Sequence, residues 1–275
     1  MFLEYIKSLI LGIVEGITEW LPISSTGHMI LVNELMKTGD GFFGSQIYLY
    51  VIQLGAILAI ATLYFKKLNP FSPSKTKEEK RATWDMWFKV IAACIPAAVI
   101  GLLFNDYMDA ISTPAVVSAT LIIYGIAFIL IERRNKKASV TDMNQMTCKT
   151  ALLIGLFQVL SIIPGTSRSG STILGAILIG CSRELAAEFS FFLAIPVMFG
   201  VSFLKIVTND YAMTANEWGL LIVGMLVAYI VSMMAVKFLV NYVRRHDFKV
   251  FGYYRIILGA IVLIYSLISG TVMSV

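Results

Sequence analysis

The sequence predicts an all-α polytopic membrane protein with an inverted-topology repeat, built from six transmembrane helices and two re-entrant helical hairpins. Three observations lead to this prediction. The chain is 58% hydrophobic and 14% charged, with a mean hydropathy of +0.80, which is far from the composition of a soluble domain. Six apolar stretches are long enough to cross a bilayer as helices. One segment of twenty residues occurs twice, at 12–31 and again at 155–174.

The two copies align without a gap at an offset of 143 residues. In each copy an apolar stretch runs into proline, hydroxyl residues and glycine, and more apolar residues follow. The identical pairs are Gly12 and Gly155, Ser24 and Ser167, Gly27 and Gly170, Ile30 and Ile173, and Leu31 and Leu174. Paired polar breaks between apolar half-helices indicate a membrane site built from both copies. We therefore predict one integral membrane domain, 1–275, made of two inverted repeats at about 1–135 and 136–275.

The predicted spans lie at about 46–65, 86–104, 115–131, 185–206, 218–240 and 255–272. Lysine and arginine are concentrated in the loops 66–85, 132–149 and 241–254, whereas 105–114 and 207–217 contain neither. The positive-inside rule therefore predicts that the first three loops are cytoplasmic and the other two external. Because this bias accounts for the net charge of +5, no nucleic-acid partner is predicted. The proline-containing loop at 66–85 is expected to be a flexible connector.

This alternation of loops requires each copy of the twenty-residue segment to enter and leave the membrane on the same side. The first copy precedes a span that starts outside, and the second lies between a cytoplasmic loop and a span that starts in the cytoplasm. Two re-entrant hairpins from opposite faces would bring their polar tips together at mid-depth. Because the first hairpin enters from outside, the site is expected to open to the external, periplasmic side.

Two acids precede the first tip. Glu15 and Glu19 stand four residues apart, so they share one face of the first half-helix. A charge buried at membrane depth costs at least ~2.5 kcal/mol on insertion scales, which makes both residues functional candidates. The alternative is that both lie near the external surface in contact with water.

The first tip itself carries hydroxyls and a histidine. Ser24, Ser25 and Thr26 supply more hydroxyls than helix capping needs, and the free N–H groups of a first turn bind anions. His28 can face the same tip and titrates near neutral pH. A core histidine with satisfied hydrogen bonds is the alternative.

The second tip reads PGTSRSGST at 164–172 and places one guanidinium among hydroxyls. Arg168 offers planar bidentate donors that match phosphate. The alternative is that Arg168 is a cytoplasmic positive charge that only fixes the orientation of the chain in the membrane. Hydroxyls, carboxylates, an imidazole and an arginine together suit phosphoryl transfer, in which positioning and charge stabilisation provide most of the catalysis.

The stretches EGITEWLPISSTGHM (15–29) and PGTSRSGST (164–172) resemble the two signature motifs of the undecaprenyl-diphosphate phosphatase family, the bacitracin-resistance proteins of bacterial membranes. The similarity extends over essentially the whole chain, including QLGAILA at 53–59 and EFSFFLAIP at 188–196. The resemblance implies a bacterial inner-membrane enzyme with six spans and two re-entrant hairpins. Such an enzyme removes one phosphate from the polyprenyl lipid undecaprenyl diphosphate and so regenerates the lipid carrier of peptidoglycan synthesis.

The resemblance also assigns roles to residues of this chain. It implies that Ser25 is the catalytic serine, Glu15 and Glu19 the acidic pair, His28 the histidine and Arg168 the phosphate-binding arginine. The residues that would line the pocket are Ser24, Thr26, Ser167, Ser169 and Thr172.

The expected mechanism is attack of Ser25 on the terminal phosphorus, with Glu19 or His28 taking its proton and Arg168 holding phosphate oxygens. His28 as nucleophile, forming a phosphohistidine, is an alternative. Glu15 and Glu19 could instead hold a divalent cation, Mg²⁺ or Ca²⁺, that bridges diphosphate oxygens.

The alternative function is a lipid-phosphate flippase or secondary transporter that uses the same inverted-repeat site. The catalytic chemistry of soluble acid phosphatases needs a second histidine at the site. The other histidine of this chain, His246, is expected to be solvated in a basic loop. Membrane lipids are expected contacts, and the sequence leaves a homodimer open.

Overall fold

A computed structural model of the chain describes residues 2–38, 41–111, 113–134, 136–208 and 213–269; the side chains of 105–110 and 269 are not described. Within these ranges all regular structure is helical, apart from one isolated parallel bridge between Val140 and Cys181. The α-helices are α1 (Phe2–Thr18), α2 (Ser25–Leu35), α3 (Gln46–Leu63), α4 (Phe65–Leu68), α5 (Lys77–Ala110), α6 (Pro114–Arg133), α7 (Cys148–Val159), α8 (Arg168–Ile179), α9 (Arg183–Val207), α10 (Ala215–Val243) and α11 (Lys249–Ser269). Two short 3₁₀ turns lie at Phe42–Gly44 and Leu160–Ile162.

Six of the described helices are long and apolar enough to cross a membrane: α3, α5, α6, α9, α10 and α11. They coincide with the six predicted spans, so the prediction of an all-α, multi-pass membrane protein is confirmed. Their outward faces carry exposed large apolar side chains, among them Leu130, Ile230 and Ile257. An apolar outer surface on this scale fits contact with lipid, because water solvates it poorly. Residues 270–272 of the last predicted span lie outside the described ranges.

The prediction that 66–85 is a flexible connector is wrong for most of this segment. Phe65–Leu68 forms α4, and α5 already begins at Lys77. The start of α5 is a capping box: the N–H of Glu79 donates to Thr76 Oγ1 at 3.2 Å, and the N–H of Thr76 donates to the Glu79 carboxylate at 2.7 Å. Only the short proline-containing segment between the two helices is irregular.

The expected external loops are shorter than predicted where they can be described. α5 continues to Ala110, so little of the predicted loop 105–114 remains outside a helix. Residue 112 of that loop and residues 209–212 of the second external loop lie outside the described ranges. The assignment of these loops to the external side stays a prediction.

The repeated segments form two helical hairpins, in which α1 packs on α2 and α7 packs on α8. These four helices contain 17, 11, 12 and 12 residues, fewer than the six long helices. Their polar tips lie in the connections between the paired helices. The entry of these hairpins into a bilayer from opposite faces stays a prediction.

Helix contacts repeat between the two halves of the chain. α1 packs on α10 and its counterpart α7 packs on α5, while α2 contacts α11 and α8 contacts α6. The shared glycines lie at these contacts: a Cβ added to Gly12 would collide with the carbonyl oxygen of Gly224, and one added to Gly155 with that of Ala93. Small residues here let the helices approach closely. Two halves related by a two-fold axis would make this set of contacts, and the division into inverted repeats stays a prediction.

Candidate active site

Each hairpin turns at a serine that caps the next helix. The N–H of Gly27 donates to Ser24 Oγ at 3.3 Å, and the N–H of Gly170 donates to Ser167 Oγ at 3.1 Å. Both serines have positive φ angles, 73° and 74°, in a region that side-chain-bearing residues rarely adopt. Strained backbone of this kind is commonly found at functional sites. The same unusual turn therefore occurs at both tips, and it places the first residues of α2 and α8 in equivalent positions.

Glu19 joins the two tips. Ser25, the first residue of α2, donates its hydroxyl hydrogen to Glu19 Oε2 at 2.8 Å. Arg168, the first residue of α8, donates from Nη2 to Glu19 Oε1, also at 2.8 Å. Glu19 is only 7% exposed. One buried carboxylate thus contacts a hydroxyl from one half and a guanidinium from the other, and residues 143 positions apart meet at a single point.

The guanidinium of Arg168 is fixed from several sides. Its Nη1 donates to the carbonyl oxygen of Ser190 at 2.7 Å and to Ser190 Oγ at 3.2 Å. The group lies over the Trp20 ring at 5.6 Å, and Trp20 packs edge-on against Phe191. Its Nε has no hydrogen-bond partner. The position of the charge is therefore set before any substrate binds, while one donor remains unused.

The first-turn N–H groups of α2 and α8 supply further donors. In the described part of the chain no hydrogen bond uses the N–H of Ser25, Thr26, Arg168 or Ser169. The first turn of a helix has no intrahelical acceptors for these groups, and a helix N-terminus carries partial positive charge. The N-termini of α2 and α8 therefore both lie at the cluster around Glu19, which is formed by Glu19, Ser25 and Arg168. This arrangement suits the binding of an anion.

Glu15 lies in the last turn of α1, and Glu19 follows the end of that helix, with its N–H donating to the Glu15 carbonyl oxygen at 3.0 Å. Glu15 is 2% exposed and has an Oε1 atom without a hydrogen-bond partner. Within the described residues no group of three or more histidine, cysteine, aspartate or glutamate side chains could hold a metal. A divalent cation here would therefore have two carboxylates and take its other ligands from water and substrate oxygens. Mg²⁺ is commonly bound in this way, and the unpaired oxygen of Glu15 fits such an ion.

His28 makes hydrogen bonds away from the serine. Its Nδ1 donates to the carbonyl oxygen of Ser24 at 2.8 Å, and its Nε2 lies 2.7 Å from the hydroxyl of Tyr254. Because a carbonyl oxygen can only accept, the hydrogen of a neutral imidazole must be on Nδ1, and Nε2 accepts from tyrosine. His28 makes no hydrogen bond with Ser25 or Glu19 in this structure. The hydrogen-bond partner of the Ser25 hydroxyl in this structure is Glu19, and the choice of Glu19 or His28 as base stays a prediction.

Most of the other predicted pocket residues use their hydroxyls in hydrogen bonds within the protein, and Thr26 does not. Ser169 is buried, and its hydroxyl donates to the backbone carbonyl of Glu19 at 3.1 Å, which ties the two tips together. Thr172 is buried, and its hydroxyl donates to a carbonyl of its own helix at 2.9 Å and pairs with Ser190 Oγ. The two cap serines are engaged as described above. Thr26 is exposed, and its hydroxyl makes no hydrogen bond within the described residues.

Arg255 holds both tips and was missed by the sequence reasoning. It is fully buried, and its Nη1 donates to the carbonyl oxygen of Pro22 at 3.1 Å. Its Nη2 donates to the carbonyls of Gly165 and Thr166 at 3.0 and 2.8 Å. The predicted last span began at this arginine, but α11 begins at Lys249, so Arg255 lies well inside the helix. An arginine within a span is a functional candidate by default, and this was the signal that could have found it.

Comparison with known proteins gives one family and a set of similar proteins. The family described as "Bacitracin resistance protein BacA" matches residues 8–261, which include both hairpin tips. A protein of Enterococcus faecalis named undecaprenyl-diphosphatase is 57% identical over 275 residues, covering 98% of this chain and 100% of the relative. Proteins with the same name from Lactobacillus delbrueckii subsp. bulgaricus and Streptococcus thermophilus are each 55% identical; they cover 97% and 96% of this chain and are themselves covered to 99% and 93%.

Proposed function

Because the chain belongs to the bacitracin resistance protein BacA family, we propose that it hydrolyses undecaprenyl diphosphate to undecaprenyl phosphate and inorganic phosphate. Relatives that are more than half identical are named undecaprenyl-diphosphatase, and the chain is an enzyme of this phosphatase class. We further propose that one site formed by both hairpin tips performs the reaction. The observation that carries this proposal is the Glu19 carboxylate held between Ser25 and Arg168.

The terminal phosphate of the substrate would bind at the two helix N-termini. Arg168 supplies parallel N–H donors that match two phosphate oxygens, and the free N–H groups of Ser25 and Thr26 add donors for developing negative charge. A phosphate oxygen would replace Glu19 as the partner of Arg168, and the Glu19 carboxylate would keep its hydrogen bond to the Ser25 hydroxyl.

The nucleophile in this proposal is Ser25. A bond forms between its Oγ and the terminal phosphorus while the bond from that phosphorus to the bridging oxygen breaks, and undecaprenyl phosphate leaves. The hydroxyl proton of Ser25 passes to Glu19 along the existing hydrogen bond. Water then attacks the phosphorus of the phosphoserine, and the bond from that phosphorus to Ser25 Oγ breaks. Glu19 returns its proton to Ser25 Oγ, and inorganic phosphate leaves with the oxygen and both hydrogens of the water. A histidine nucleophile has less support, because both ring nitrogens of His28 are engaged by Ser24 and Tyr254.

The alternative to a base role for Glu19 is that Glu15 and Glu19 hold a divalent cation, Mg²⁺ or Ca²⁺. The buried unpaired oxygen of Glu15 is the supporting observation. Such an ion would neutralise charge on the diphosphate oxygens when bound. The contribution of the chain is to present two carboxylates, one turn apart, beside the serine.

The biological setting we propose is the bacterial inner membrane, with a site that opens to the periplasmic side. The distribution of lysine and arginine between loops supports this orientation. In that setting the reaction recycles the lipid carrier of peptidoglycan synthesis.

The test is phosphate release from undecaprenyl diphosphate by the purified full chain in detergent. We expect release by the wild type and at least about 10³-fold slower release by Ser25→Ala, because the nucleophile is lost. Ser74→Ala, in an exposed loop, is the matched control and should behave as the wild type. A flippase or transporter would release no phosphate, since detergent provides no compartments. The absence of release by the wild type would therefore refute the proposed function.

A further inference from the structure

A cavity of about 610 Å³ lies at the basic end of the helix bundle, defined as the end that carries the lysine- and arginine-rich segments 66–85, 132–149 and 241–254. Three long helices have an end at this cavity. α6 ends at Arg133, α9 begins at Arg183 and α10 ends at Val243. The ends of membrane-spanning helices lie where hydrocarbon gives way to headgroups and water. The cavity is therefore at headgroup depth, and the cluster around Glu19 does not contribute to it.

The lining of the cavity is amphipathic, with an excess of positive charge. Four cations line it: Arg134, Lys136, Lys137 and Arg183. The acids in the lining are Glu132 and Glu184. Apolar side chains complete the wall, including Ile177 and Leu178 from the C-terminal turn of α8.

One of the two acids is already neutralised. Glu132 is 5% exposed and accepts hydrogen bonds from Arg183 Nε at 3.0 Å and Arg183 Nη2 at 2.6 Å. It also accepts from the N–H of Phe248 at 3.1 Å. Arg183 keeps its second terminal nitrogen, Nη1, without a hydrogen bond to any described residue. The ion pair therefore fixes one guanidinium in the wall and leaves part of it available.

The other three cations have no acidic partner among the residues that the structure describes. No ion pair in the described part of the chain involves Arg134, Lys136 or Lys137, and all three are exposed. Repulsion between like charges costs free energy unless an anion relieves it. An anion bound in the cavity would meet this unused positive charge.

Hydrogen bonds just after Lys136 and Lys137 in the chain hold this part of the cavity wall in place. The N–H groups of Ser139 and Val140 donate to the carbonyl oxygen of Gly180 at 2.9 and 3.1 Å, and the N–H of Ser182 donates back to Val140 at 2.8 Å. The two lysines thus lie between the end of α6 and a segment fastened to the α8–α9 turn. A wall that is already ordered loses less conformational entropy when a ligand binds.

We propose that this cavity binds the phosphate headgroup of an anionic membrane lipid. Basic pockets between helices at this depth attract such headgroups, and the apolar wall accommodates the upper part of the acyl chains. Free inorganic phosphate shares the charge but has no use for an apolar wall, so the lipid is the occupant that matches both features. The proposal depends on the chain spanning a membrane and not on the catalytic roles of Ser25 and Glu19.

The test measures lipid binding to the purified full chain by native mass spectrometry in detergent. The probes are phosphatidylglycerol and phosphatidylcholine with the same acyl chains. We expect wild-type affinity for phosphatidylglycerol to exceed that for phosphatidylcholine by at least about tenfold, because each basic residue near the headgroup adds attraction. The double variant Lys136→Gln, Lys137→Gln should lose most of this preference. Lys77→Gln, Arg81→Gln is the matched control: it removes two exposed cations from the start of α5, away from the cavity, and should retain the preference.

Two further variants separate the cavity from its surroundings. Ala138→Trp narrows the cavity without changing charge and should weaken phosphatidylglycerol binding by about tenfold. Ser25→Ala should bind the lipid as the wild type does, so a failure of the proposed catalysis leaves this measurement unaffected. Equal loss of preference in both double variants, or unchanged binding by Ala138→Trp, would overturn the proposal. Displacement of the lipid by equimolar inorganic phosphate would assign the cavity to the free anion and would also overturn it.

Discussion

Replacement of Glu19 by glutamine should remove the base while it preserves the shape of the contact between the hairpin tips. Glu19 accepts from Ser25 on one oxygen and from Arg168 on the other, both at 2.8 Å. A glutamine can keep its oxygen towards the guanidinium and turn its NH₂ group towards the serine hydroxyl, which then accepts the hydrogen bond. The geometry survives, but the proton of the serine no longer has an acceptor.

The magnitudes of the two effects differ. A positioned base contributes about 10²- to 10⁴-fold to a rate, so the kcat of Glu19→Gln should fall by about that factor. The glutamine keeps a hydrogen bond to each partner but leaves the Arg168 guanidinium without its counter-ion, so the loss of stability should be about 3 kcal/mol. The variant should therefore fold and remain almost inactive.

The assay is phosphate release in detergent, with the melting temperature of each sample measured in parallel. Glu34→Gln is the matched control, because it makes the same substitution on α2 at a side chain whose one hydrogen bond among the described residues is with Tyr265 at 3.4 Å. The control should keep wild-type kcat and stability. If Glu19→Gln kept its kcat within about tenfold of the wild type, the assignment of Glu19 as the base would be wrong.

Three further variants test other contacts of the structure. Arg168→Lys keeps the charge but loses the planar pair of donors, so phosphate release should fall by about 10³-fold, and near-normal release would contradict a bidentate role. Arg255→Met leaves three buried carbonyl groups without donors, at about 1 to 3 kcal/mol each, so both the melting temperature and the activity should fall; an unchanged melting temperature would show that Arg255 does not hold the tips. Gly155→Leu forces a side chain into the backbone of α5 at Ala93, so the yield of folded protein should drop sharply, and normal yield would mean that the two helices are further apart than described.

The overall architecture was accessible from the sequence because a bilayer restricts the choices. Backbone polar groups in hydrocarbon must be satisfied internally, so long apolar stretches can only be helices or closed barrels, and their lengths here suit helices. The meeting of Ser25 with Arg168 was also predictable, because the gap-free repeat places them in equivalent positions. A pair of related segments that meet at their tips brings equivalent residues together.

The finer features required information that the repeat does not contain. Arg255 lies outside both copies, and its acceptors are 89 to 233 residues away in the chain, so no local pattern connects them. The hydrogen bond from Ser25 to Glu19, with His28 bonded to Ser24 and Tyr254 instead, depends on side-chain positions that hydrophobic periodicity does not specify. The start of α5 was missed for a different reason. Nearby prolines suggested a loop, although the T-x-x-E pattern ending at Glu79 is itself a signal for a helix start.

The most direct test of the central claim is chemical trapping of the phosphorylated enzyme. The full chain is exposed briefly to substrate that carries a radiolabelled terminal phosphate and is quenched, and the labelled residue is mapped in wild type and in Arg168→Gln. The shared site predicts an acid-stable phosphoserine at Ser25 in the wild type, and loss of that label when the guanidinium from the other half is removed. An acid-labile label on His28, or unchanged labelling of Ser25 without Arg168, would contradict the claim that the two hairpin tips form one catalytic site.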